Sequence, residues 1–154
     1  MQIHQSAEDY LETILMLNQR MGRVRSIDVV NELGYTKASV SIAMKKLREN
    51  GYIAVDGEGN LTLLEPGREI AERIYSRHRL LTHFFVQLGV DEEVAAEDAC
   101  KAEHILSEQT LEKIREYALL HDAQDSVKQP KSSKNETARI WQSRFFVSSC
   151  PAQG

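Results

Sequence analysis

Residues 25–64 read RSIDVVNELGYTKASVSIAMKKLRENGYIAVDGEGNLTLL, and the punctuation of this stretch decides the fold. Ser26 stands where a helix N-cap is expected, Ile27, Val30 and Leu33 follow at helical spacing, and Gly34 ends the run. Thr36 then caps a further helix with Val40, Met44 and Leu47 inward and Gly51 as terminator. So short a gap forces a tight turn between the two helices. After Gly51, Tyr52, Ile53 and Val55 form a strand, GEGN turns the chain, and Leu61, Leu63 and Leu64 return it. Upstream, Ser6 can cap a first helix carrying Tyr10, Leu11, Ile14, Leu15 and Leu17 and ending near Gly22. Three helices and a hairpin make a winged helix-turn-helix. A two-stranded hairpin is marginal alone, so Val55, Leu61 and Leu63 are expected to lean on the helices.

From Pro66 a long helix runs through Ile70, Ile74, Leu81 and Phe84 to Leu88, where Gly89 closes it. Asp91 caps a helix over EEVAAEDACKAEHILS, and one more amphipathic helix spans Ser107 to Leu120. These helices carry more apolar surface than they can bury among themselves, which predicts a homodimer. The fold class is mainly α: a winged helix-turn-helix DNA-binding domain over 1–65, an all-helical metal-binding and dimerisation domain over 66–121, and a polar linker and tail over 122–154. The terminal IWQSRFFVSSCPAQG is apolar enough to dock on the body but too short to be a domain.

The net charge of -4 and the pI near 5.7 exclude a polycation that coats nucleic acid indiscriminately. The distribution says more: Arg20 to Arg48 holds seven basic residues against two acidic ones. Within the third helix Lys37, Ala38, Ser41, Ile42, Lys45 and Lys46 lie away from the Val40 stripe. Short side chains beside lysines let a helix enter a major groove about 12 Å wide. Arg25, Thr36, Lys37, Ala38, Ser39, Ser41, Lys45 and Lys46 are the candidate contacts with double-stranded operator DNA. Thr36 and the helix N-terminus suit a phosphate, and Lys45 and Lys46 suit phosphate better than base edges. The acidic wing turn leaves Asn60 as its obvious polar candidate.

Two cysteines, Cys100 and Cys150, do not make a disulfide framework, and neither a secretory leader nor a membrane span is evident. A cytoplasmic protein with Cys100 as a free thiol is expected. In a helical EDACKAEHILS, Cys100, Glu103 and His104 would share one face. Asp9 and Glu12 pair three apart on the first helix, and His78 sits in the long fourth helix. Together these are candidate metal ligands. His83, His121 and Cys150 stay unassigned, with His83 read as packing or solvated.

SAEDYLETI, LGYTKASVSIAMKKLRENGYI, YSRHRLL and the C-x-x-E-H of Cys100 to His104 resemble the diphtheria-toxin-repressor family of metal-activated transcriptional repressors, especially its short manganese-transport-regulator branch. The resemblance covers roughly residues 5 to 121. It implies a homodimer that binds a divalent first-row metal, then a palindromic operator, and shuts off metal-uptake genes. On it, Asp9 matches the aspartate of the manganese branch, Glu12 its neighbouring glutamate, His78 the linker-helix histidine, and Glu103 with His104 the paired ligands of the main site. Cys100 departs from it, because the manganese branch typically carries glutamate there and the iron branch cysteine. The iron branch's second-site glutamate and histidine fall at Thr82 and Ala96, so that form of ancillary site is not expected.

Asp9, Glu12 and Glu103 are hard oxygen donors suited to Mn2+ or Fe2+, whereas a Cys100 thiolate favours Zn2+, Co2+ or iron. Mn2+ leads, with Fe2+ second. Two rivals are an enzyme in which a metal activates water and a winged-helix regulator whose DNA binding ignores metal. The basic helix argues against the first, and chelation separates the second.

Overall fold

The computed structural model describes residues 5–128, with side chains up to Asp122. The order is α1 (Gln5–Met21), α2 (Ser26–Leu33), α3 (Lys37–Glu49), β1 (Ile53–Val55), β2 (Leu61–Leu63), α4 (Glu65–Gln87), α5 (Glu92–Ala102) and α6 (Glu108–Lys128). Two compact units divide between His78 and Arg79, inside the continuous α4.

The first unit is the winged helix. Arg25, not Ser26, takes the cap position of α2, because Asp28 reaches back to accept the Arg25 N–H at 2.8 Å. The Thr36 hydroxyl caps α3 by accepting from Ser39 N, as its sequence position predicts. Gly34 closes α2 at φ 68°, a left-handed conformation that glycine adopts at no steric cost. β1 and β2 pair antiparallel with Ile53 opposite Leu63 and Val55 opposite Leu61. Leu61 N donates to Val24 O at 2.7 Å, which ties the wing to the segment before α2.

One core runs through this unit: Leu11, Ile14 and Leu17 of α1 meet Val29, Val40, Leu47, Ile53 and Leu61, all sequestered from water. Val55, expected to face the helices, is exposed: it shares a strand face with buried Ile53 but ends β1 next to the wing turn that begins at Asp56. Gly67 in the first turn of α4 admits no side chain: a Cβ there would lie 2.2 Å from the Tyr52 carbonyl oxygen.

The second unit contains the rest of α4 with α5 and α6. Its buried cluster is Leu81, Ala99 and Leu111, flanked by half-buried Leu80, Phe85, Leu106 and Ile114. Phe84 and Tyr117 meet edge to face at 5.7 Å. His83 is not merely packed or solvated. Its Nε2 lies 3.0 Å from Asp122 Oδ1, which also accepts from Gln87 Nε2 at 2.7 Å, so α6 is tied to α4. The last helix runs on to Lys128, where the sequence predicts a polar linker from 122. The remainder of the expected tail, including the IWQSRFFVSSCPAQG docking segment and Cys150, lies outside the described residues. No helix among the described residues is long and apolar enough to cross a membrane.

Candidate metal centre and DNA-binding helix

Asp91 caps α5 by accepting from Glu93 N at 3.0 Å, and the helix ends at Ala102. Glu103 is therefore the C-cap, still in right-handed helical geometry with its N–H on Ala99 O, and His104 lies in the following turn. The offset of three from Cys100 to Glu103 still spans the last turn of the helix. His78 comes from α4, one residue before the segment that carries Leu81 into the second unit's core.

The ligand atoms of His78, Cys100 and Glu103 all lie within 4.8 Å of one another. Donors held about 2.0–2.3 Å from one ion are at most about 4.6 Å apart, so shifts of a few tenths of an ångström would close this group on a cation. Glu103 is wholly buried, and a carboxylate at that depth needs positive charge beside it. Its Oε1 lies 3.3 Å from His104 Nε2, with both side chains shielded from solvent. An imidazole, a sulfur and a buried carboxylate fit a divalent first-row ion.

The thiolate is the strong metal donor of a cysteine, so Cys100 serves a cation best when reduced and deprotonated.

Asp9, Glu12 and His104 are not members of the three-residue group. Asp9 and Glu12 lie on α1 in the first unit, Glu12 buried and Asp9 half-buried. The negative charge of Asp9 adds to burial in raising the Tyr35 phenol above its usual range, burial being the larger cause. Thr82 is fully buried and Ala96 half-buried, and neither offers a carboxylate or imidazole for a second site.

On α3, Lys37, Ala38, Ser39, Ser41, Lys45 and Lys46 are all exposed, and Thr36 sits at the helix N-terminus. Arg25 is exposed and bridges to Asn60 at the base of the wing, so it lies beside the hairpin as well as α2. Asn60 itself is engaged: its Nδ2 donates to Asp56 Oδ2 at 2.8 Å. The wing's polar candidate is therefore a structural residue that holds its turn. The structure also shows the His83, Gln87 and Asp122 triangle, for which the sequence carries no signal because the partners stand 39 and 35 residues apart.

A winged helix followed along one continuous helix by an all-helical unit is the organisation of a two-part DNA-binding regulator. Family profiles agree: residues 2–61 match the N-terminal DNA binding domain of iron dependent repressors, and residues 64–123 their metal binding and dimerisation domain. The chain belongs to this family of metal-dependent transcriptional repressors and is not an enzyme. It is 36% identical over 113 residues to an uncharacterized HTH-type transcriptional regulator of Methanocaldococcus jannaschii, covering 72% of this chain and 90% of the relative. It is 32% identical to the HTH-type transcriptional regulator MntR of Lysinibacillus sphaericus, covering 85% and 95%. Among solved structures, a manganese-dependent transcriptional repressor in complex with manganese superposes with TM-score 0.64 at 27% identity. That match covers 73% of this chain and 52% of the other, so this chain spans about half of that protein's length.

Proposed function

We propose that the chain senses a divalent cation through His78, Cys100 and Glu103, with Asp9, Glu12 and His104 as further ligands, and that the loaded homodimer represses metal-uptake genes by placing α3 in the major grooves of a palindromic operator. The observation that carries this reading is the meeting of three donors from α4 and α5 around a fully buried carboxylate. The oxygen donors favour manganese, with iron second, and the reduced sulfur widens the range to zinc or cobalt.

A bound cation supplies positive charge that several gathered carboxylates otherwise lack. Without it, Asp9, Glu12 and Glu103 repel one another and oppose the arrangement that assembles them. With α1 held, α3 is held too, because Leu11, Ile14 and Leu17 share one core with Val40, Met44 and Leu47. The two α3 helices of a dimer then match successive major grooves about 34 Å apart. Driving such a two-state change from 1:99 to 99:1 takes about 5.5 kcal/mol of differential affinity, which two coupled sites can share.

The test is fluorescence anisotropy of promoter duplex with the full chain, under reducing conditions, across buffered manganese, iron, zinc and cobalt. Metal-dependent retention without turnover supports the reading. Retention indifferent to chelator would instead mark a winged-helix regulator that does not use metal, and Cys100→Glu should move the ranking towards manganese.

A further inference from the structure

Ile42 is 59% exposed at the middle of α3, on the face opposite Val40, Met44 and Leu47. Its neighbours at three and four residues are Ala38, Ser39, Lys45 and Lys46, all exposed, so it is the one large apolar side chain on a face otherwise short or cationic. At 59% exposure, isoleucine gains little there from folding. It exposes hydrocarbon to water and, being β-branched, is a poorer helix former than alanine, leucine or lysine.

The surroundings limit what the side chain can meet. Lys45 and Lys46 bracket it with positive charge, as a strand of phosphates requires. Ala38 and Ser39 are too short to hold the helix back from a groove floor, which leaves Ile42 as the longest uncharged chain on the face. It has no donor or acceptor and cannot read base edges by hydrogen bonds. The apolar group that a major groove displays is the thymine 5-methyl.

We propose that Ile42 is a specificity-determining residue that packs on a thymine 5-methyl group in each operator half-site; this rests on the DNA-binding role proposed for α3. Lysines position the helix on phosphates, and Ile42 distinguishes thymine from cytosine at one base. The rigid β-branched side chain suits that task because little rotamer freedom is lost on contact.

The experiment selects duplexes from a random pool with the full chain and manganese chloride under reducing conditions, then replaces each selected thymine by deoxyuracil, which removes only the methyl group. Wild type should lose about fourfold in affinity at one thymine per half-site, the worth of burying one methyl, and about an order of magnitude when both are changed. Ile42→Ala should lose a similar amount on the thymine duplex and no longer distinguish thymine from deoxyuracil, while melting as wild type. Ile42→Leu should restore part of the discrimination. A selected duplex with no methyl-sensitive thymine, or an Ile42→Ala chain that keeps the discrimination, overturns the proposal. If wild type retains no duplex with any metal, the DNA-binding role of α3 falls, and this proposal with it.

Discussion

The two units differ in how completely they bury themselves. The winged-helix unit closes a core drawn from α1, α2, α3, both strands and Ala71 of α4, with Leu11, Ile14 and Val24 wholly inaccessible. The second unit buries Leu81, Ala99 and Leu111 but leaves Leu88, Ile105, Leu119 and Leu120 more than half exposed. One unit is finished by its own chain, whereas the other presents the surface a dimerisation domain needs. Cys100 and Glu103 thus belong to the less self-contained of the two units. Low intrinsic stability is where coupled transitions are found.

Core truncation is the strongest way to sharpen this contrast. Leu11→Ala should destabilise the winged-helix unit by about 2–5 kcal/mol, through lost transfer energy and a residual cavity. Calorimetry should show that transition falling while remaining independent of protein concentration. Melting of the second unit should instead shift downwards on tenfold dilution, and concentration-independent melting of both units would break the comparison.

Removing charge at the buried carboxylate comes next. Glu103→Gln should lower metal-dependent operator affinity about a hundredfold, or about 2.7 kcal/mol, while sedimentation shows an intact dimer. Equal loss of the dimer would make Glu103 a structural residue. A smaller effect is expected at the cap of α3: Thr36→Ala removes the hydroxyl that accepts from Ser39 N and should cost about 1 kcal/mol of stability.

The smallest effect lies in the wing. Asp56 accepts from Asn60 Nδ2 and from the backbone N–H groups of Glu58 and Asn60, and these bonds hold its carboxyl below the usual range, the Asn60 side chain contributing most. Its folded value is depressed, so the support it gives the turn is present above the unfolded carboxylate range and is lost as pH falls through the folded value. Amide chemical shifts of Glu58 and Asn60 should therefore hold steady at neutral pH and move only in acid below about 3.8. In Asp56→Asn that acid transition should vanish.

Much of the DNA-binding half was legible because its signals are local. Gly34, Thr36 and Gly51 mark helix ends whatever surrounds them, and the Val40, Met44 and Leu47 stripe fixes which face of α3 remains outside. The metal-binding half was less so. EHILS contains no glycine or proline to announce that α5 stops at Ala102, so placing His104 on the helical face of Cys100 and Glu103 was an extrapolation of periodicity. Nor does α6 carry a stop near His121 that would separate a linker from a helix running to Lys128.

Sequence by itself determined the order of elements, the basic exposed face of α3 and the donor types available to a cation, since each follows from residue identity and short-range spacing. Tertiary structure alone decided that His78 meets Cys100 and Glu103, that Glu103 is wholly buried, and that Asn60 serves the wing turn. These depend on which helices pack together and at what depth. Helical periodicity gives the direction of a side chain from its own axis, but proximity to another helix is a property of the packed core.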